Sequence, residues 1–266
     1  MTLKSLYHAA VPKAVRYPIG RLRRGAIDSW RRACADGPEL PPRPLLQRVQ
    51  MTPWVGEYLR VGRASAAAIS SLLTEAGTPP GAQVLDFGCG LARTLRFIAQ
   101  HPQLSWRMTG CDVDRISIEW CRGALPSVEF HATWLSPPLP FPRARFDAVY
   151  AVSVFTHFAA DEQRAWAQEL ARVVRPGGFA AITTMGPLAF GSFHELQTAD
   201  RLADLDDGGF VYDRGGEAFN QRGAFHTPRA LADFFEPYGW ALRRSLEGGI
   251  DGFQDLHLLE RLEAGG

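Results

Sequence analysis

The chain has 266 residues, of which 46% are hydrophobic and 21% charged, with a formal net charge of +1. That length and apolar content suit one α/β domain with an appendage, and the near-zero charge gives no global pull toward nucleic acid. No apolar stretch approaches the roughly 20 residues that a membrane span needs, and no continuous apolar signal segment opens the chain, so the default expectation is cytoplasmic.

Residues 1–50 read as a basic helical arm followed by a linker. Lys4, Lys13, Arg16, Arg21, Arg23, Arg24, Arg31 and Arg32 face few acids, and the piece PELPPRP cannot be continuous helix. Such an arm serves either as a solvated extension or as a peripheral contact with an anionic membrane or a phosphorylated substrate. Residues 51–266 form the α/β domain, opening with a helix over Tyr58–Leu73 that is closed by the loop GTPPGAQ.

From Gln83 onward strand and helix alternate, the pattern of a mostly parallel sheet with right-handed crossovers. The first strand, 83–87, ends on Asp86 and passes into Gly88-Cys89-Gly90 before a helix over about 91–101. Gly88 and Gly90 let the backbone turn sharply against a ligand, and the first helical turn is expected to aim unpaired N–H groups at it. An acid before the glycines, with Arg93 where a dinucleotide fold has a third glycine, suits a ligand with a cationic end. S-adenosylmethionine is such a ligand.

The second strand, RMTGCD, ends at Asp112, about twenty residues past the turn, where an acid can accept bonds from both ribose hydroxyls. Asp114 reads as the N-cap of a helix reaching Leu125. Cys34, Cys89, Cys111 and Cys121 lack metal-site spacing and read as small reduced core residues; no metal is called for. A short strand at 128–132 and the loop LSPPLPFP lead to a fourth strand at 146–154. The helix over 160–174 is expected to stop at Arg175-Pro176-Gly177-Gly178, before a fifth strand FAAITTM. Residues 186–226 are a lid-like insertion rich in Phe and Asp. A helix from Thr227-Pro228 to Tyr238 and the strands WALRRSLE and DLHLLERL, paired as a hairpin, finish the domain.

The ordered set VLDFGCG, TGCDVD, FDAVYAVSVFTHF and VVRPGGF resembles the successive motifs of class I S-adenosylmethionine-dependent methyltransferases, over roughly Tyr58–Arg261. The resemblance implies a Rossmann-like, doubly wound seven-stranded sheet with an antiparallel last strand. It assigns Asp86 to the methionine end of the cofactor, Gly88 and Gly90 to close approach and Asp112 to the ribose; Ser153, in the SVFTHF exit of the fourth strand, is a further candidate cofactor contact. Members often carry an acid near the adenine amino group; the matching place here is Trp134, which either offers its face to adenine or is a buried Trp with no cofactor role.

His157, at the exit of the fourth strand, is the candidate general base, or else a ring hydrogen-bonded within the turn that only shapes the pocket. The antiparallel last strand returns Asp251 and Gln254, with Asp255 beside them, to the pocket mouth, as substrate-orienting groups or as a polar turn. His194 and His226 bracket the insertion, and His257 lies within the final strand. The expected reaction is methyl transfer to a small-molecule, sugar-containing or lipid-linked acceptor, O-methylation before N-methylation. The rivals are a non-catalytic scaffold that binds the cofactor and an NAD-dependent oxidoreductase.

Overall fold

The structure is a computed structural model that describes residues 24–29, 39–193, 196, 198–215 and 222–263. The chain divides into two units, residues 1–60 and 61–266. In the first, most of the basic residues of the arm, and Cys34, lie outside the described residues. The proline-rich segment ends in a helix, α1 (Arg43–Gln50), with Pro42 at its N-cap; Pro44 is tolerated because the first-turn N–H groups have no partner within the helix. Asp28 accepts a hydrogen bond from Nε of Arg43 at 3.1 Å and one from the N–H of Val55 at 2.6 Å, the first residue of α2 (Val55–Glu75).

The second unit is built on β1 (Gln83–Phe87), α3 (Leu95–Ala99), β2 (Arg107–Asp112), α4 (Arg115–Ala124), β3 (Glu129–Ala132), β4 (Phe146–Ala151), α5 (Ala160–Val173) and β5 (Val174–Thr184). The insertion supplies α6 (Pro187–Phe190), α7 (Ala199–Ala203), a π turn at Asp204–Gly208, β6 (Phe210–Asp213) and β7 (Gly223–His226). The chain then continues through α8 (Pro228–Phe235), β8 (Trp240–Ile250) and β9 (Gln254–Arg261).

Seven strands form one sheet in the order β3-β2-β1-β4-β5-β9-β8; β1 to β5 pair in parallel, and β9 runs antiparallel to both neighbours. Alternation along the strands sends Leu85, Val149 and Ile182 into a layer under α5 and α8, and Val84, Ala148, Tyr150 and Ala181 into a layer under α3, α4 and the later turns of α2. Two covered faces explain why the parallel strands read as nearly continuous apolar runs. No helix among the described residues is long and apolar enough to cross a membrane.

Three local expectations need correction. The helix after β1 is shorter than 91–101, because Ala92 sits at φ +55° and breaks the helical path before α3 begins. The fourth strand ends at Ala151, since the N–H of Ser153 is taken by the Thr183 hydroxyl at 2.8 Å and Phe155–His157 wind into a 3-10 turn. Arg175–Gly178 lies within β5 and does not precede it. The register slips between Phe146 and Ala148, and Gly177 at φ +70° makes the bulge. The insertion is also more regular than expected. Its β6–β7 hairpin packs with Phe190, Leu205 and Met185 into a small apolar cluster of its own.

Candidate functional site

The strand order reverses between β1 and β4, which places a crevice at their carboxyl ends. Asp86 is buried there, and its Oδ2 accepts a hydrogen bond from the Tyr150 hydroxyl at 2.9 Å. Burial raises the Asp86 pKa to about 8; Asp112 adds to the rise, while Tyr150 and Arg93 oppose it. Gly88 follows at φ +75°, and a Cβ there would collide with the Val154 side chain.

The backbone donors of the turn are differently employed than the sequence suggests. The N–H groups of Gly88 and Cys89 both reach the Cys111 carbonyl, at 2.9 and 3.0 Å, and the N–H of Gly90 reaches Oδ2 of Asp112 at 2.8 Å. Oδ1 of Asp112 accepts from the N–H of Asp114 at 2.8 Å. Burial raises the Asp112 pKa against the lowering pull of those two N–H groups. The turn is therefore fastened to the end of β2, and its three leading donors do not point at a ligand. Each Asp112 oxygen retains a lone pair for further donors. Asp114 caps α4 as read, accepting from Ile116.

At the exit of β4, Ser153 has φ +59°, a left-handed conformation costing about 1–2 kcal/mol for a residue with a Cβ. Its N–H goes to Thr183 and its hydroxyl to the Gln254 amide, with Nε2 to Oγ at 2.9 Å. The structure thus joins Ser153, read as a cofactor contact, to Gln254, read as a substrate contact. His157 is half-buried, and its Nδ1 lies 2.8 Å from the Arg222 carbonyl. A carbonyl only accepts, so Nδ1 carries the proton and Nε2 the lone pair in the neutral ring. Burial lowers the His157 pKa; the Arg222 carbonyl partly offsets that.

Trp134 is not buried; it is 66% exposed, with the Arg115 guanidinium 5.0 Å from its ring centre. It sits next to Thr133, whose N–H bonds the Asp112 carbonyl, so the loop after β3 runs beside Asp112. Val113 and Leu135 are likewise exposed on the segments leaving β2 and β3. Asp251 is exposed in the β8–β9 turn at φ +57°. Asp255 is buried opposite Thr184 and accepts from the N–H of Gly248, and Gly186 leaves it room, since a Cβ there would strike its carboxylate.

Of the other histidines, His194 lies outside the described residues. His257 is buried between the hydroxyls of Thr184 and Ser245, and burial holds its pKa down to about 4. His226 is fully buried, its ring 4.9 Å from that of Phe210, and its nitrogens have no partner in hydrogen-bond geometry among the described residues. Burial, helped by His257, lowers its pKa to about 3 against a small pull from the Ala224 backbone. Neither reaches solvent in this state. The described cysteines, Cys89, Cys111 and Cys121, are buried thiols.

The donor set fits S-adenosylmethionine: one buried carboxylate for a cationic end, a second with spare lone pairs for hydroxyls, and a glycine approach between them. Tyr150, Thr183 and the Arg222 carbonyl were not singled out from sequence. Tyr150 was readable in principle, because a phenol among the apolar residues of FDAVYA requires a partner.

Residues 84–178 match the family model described as a methyltransferase domain. An O-methyltransferase of Aspergillus sclerotiorum, resE, is 33% identical over 129 residues, covering 44% of this chain and 47% of that protein. A probable S-adenosylmethionine-dependent methyltransferase of Mycolicibacterium smegmatis is 30% identical, covering 55% of this chain and 56% of that protein. The chain spans about half the length of the curated relatives it matches. Among solved structures, the Burkholderia thailandensis 1,6-didemethyltoxoflavin-N1-methyltransferase, bound to its acceptor and S-adenosylhomocysteine, shares the fold with a TM-score of 0.55 at 17% identity. That match covers 86% of this chain and 94% of the other.

Proposed function

We propose that the chain, which carries a methyltransferase domain at residues 84–178, is a class I S-adenosylmethionine-dependent methyltransferase that methylates a hydroxyl oxygen of a small-molecule, sugar-containing or lipid-linked acceptor. The observation that carries the donor is the fastened turn. A dinucleotide's pyrophosphate needs N–H groups after the glycines, whereas here Gly88, Cys89 and Gly90 spend theirs on β2 and the site presents carboxylates. When bound, S-adenosylmethionine supplies an electrophilic methyl group on a sulfonium centre.

Asp86 would hold the ammonium end and Asp112 the ribose hydroxyls, with Gly88 and Gly90 giving close approach. Ser153 and Gln254 form one polar wall at the β4 and β9 ends. Trp134 offers an aromatic face on the loop beside Asp112. With Nδ1 committed to the Arg222 carbonyl, Nε2 of His157 would be the nitrogen to accept the proton of an acceptor hydroxyl. The insertion, which carries Arg222 and a cluster of Phe side chains, encloses a partly apolar acceptor. The names of two relatives, both O-methyltransferases, agree with an oxygen acceptor.

The test is incubation of the purified chain with S-adenosylmethionine and panels of phenols, sugars and lipid-linked alcohols, reading S-adenosylhomocysteine. Release with hydroxyl acceptors is expected. Release only with amines overturns the oxygen assignment, and tight NAD binding with no S-adenosylmethionine binding overturns the donor.

A further inference from the structure

Tyr150 belongs to no site proposed above except as a neighbour of Asp86, yet its placement is specific. In the parallel pairing of β1 with β4, Asp86 and Tyr150 are direct register partners, so their side chains leave the sheet on the same face. Both are buried, at 3% and 0% exposure, and the phenol donates to Oδ2 across 2.9 Å. Phe would fill the same space in this apolar layer; the hydroxyl adds only the bond.

From this geometry we infer that Tyr150 is a positioning residue for the methyl donor: its hydroxyl fixes Oδ2 of Asp86 and so leaves Oδ1 to take the donor's ammonium group. The inference rests on the donor reading above. A carboxylate on a short side chain otherwise has rotational freedom about its Cβ–Cγ bond. One fixed oxygen removes that freedom before the ligand arrives, which lowers the ordering cost of binding.

The same bond bears on ionisation. The groups that act on Asp86 are Tyr150 from β4, Asp112 from β2 and Arg93 from the turn; the thiols of Cys89, Cys111 and Cys121, whose own pKa values Asp86 raises, stay neutral where it titrates. Asp112 disfavours the carboxylate, whereas Tyr150 and Arg93 favour it. Removing the hydroxyl therefore pushes Asp86 further toward its protonated form, and an ammonium ligand must then displace that proton. The proton leaves Asp86 for buffer as the ion pair forms.

The experiment is calorimetry of S-adenosylhomocysteine, which keeps the amino group, on wild type and Tyr150→Phe between about pH 6 and 8, in buffers of differing ionisation enthalpy. Wild type should bind more tightly as pH rises and release protons. Tyr150→Phe should bind roughly tenfold more weakly near pH 7, with its affinity curve displaced to higher pH. In an Asp86→Asn background the Tyr150→Phe change should have little further effect. Equal affinity and an unmoved curve overturn the inference, as does a loss of the same size in the Asp86→Asn background, the mark of a merely structural role. A Tyr150→Phe chain that does not fold also overturns it, because the hydroxyl would then serve the sheet. Wild type that binds no S-adenosylhomocysteine overturns the donor reading together with it, whereas wild type that binds and a variant that matches it overturn the positioning role alone.

Discussion

At the scale of single residues, the site separates two carboxylates by environment. Burial shifts both upward, but Asp86 is held by the Tyr150 hydroxyl, whereas Asp112 is secured by two backbone donors that pull its pKa back down. Asp112→Ala should therefore do more than remove the proposed ribose contact: Gly90 loses its acceptor and the turn loosens. Donor affinity measured by calorimetry should fall more than tenfold, because a ribose contact and the order of the turn are lost together. His157→Gln should lower turnover with a hydroxyl acceptor by about 100-fold or more while donor affinity stays unchanged. Since burial depresses the His157 pKa below 6.5, the neutral base persists into mildly acidic solution, and kcat/KM should fall only as pH drops through that lowered value. A pH–rate profile on both proteins checks this, for the acid limb should vanish in the Gln variant.

Elements set these residues in place, and here the sequence was readable to different depths. Strands β1, β2, β8 and β9 and helices α4, α5 and α8 followed from period, caps and turn residues, down to Thr227 accepting from the Ala230 N–H at 3.3 Å as an N-cap. Thr227→Ala should cost about 1 kcal/mol in denaturant unfolding. The segments around the glycines were less legible, because what shapes them is non-local. Gly88 is constrained by Val154, Ser153 by Thr183 and Gly178 by the Asp147 carbonyl, and none of these pairs is adjacent in the chain. Gly88→Ala combines a φ of +75° with that collision, so thermal unfolding should show a loss of about 1–3 kcal/mol and donor binding should weaken with it. The roles of Asp86 and Asp112 could be proposed from strand ends alone. The Arg222 carbonyl could not, because any residue offers a carbonyl and only the fold selects one.

Across the whole second unit, buried titratable groups pull stability in opposite directions with pH. His226 and His257, held to about 3 and 4 in the folded chain, are ordinary imidazoles near 6.5 when unfolded. Their contribution is complete above about pH 6.5 and is lost as pH falls toward 3–4, where the unfolded chain binds more protons. Asp86 behaves oppositely. Its folded pKa near 8 lies above its unfolded value, so the folded chain holds the extra proton and stability declines as pH rises from about 4 to 8. Thermal unfolding without ligand should thus peak in weakly acidic solution, and Asp86→Asn should flatten the alkaline decline. S-adenosylhomocysteine should raise the midpoint most at the alkaline end of that range.

The bond between His157 and the Arg222 carbonyl carries a consequence for how such a protein diversifies. Arg222 belongs to the same insertion whose Phe side chains would shape the acceptor chamber, and its backbone holds the proton of His157, the proposed base, on Nδ1. Any lineage or engineer that rewrites residues 186–226 to admit a new acceptor also resets the tautomer and aim of the base. Acceptor range and proton-transfer rate would then be inherited as one trait. Chimeras that exchange only the residues before Phe210, leaving β6 and β7 intact, should change selectivity while preserving the rate of the chemical step.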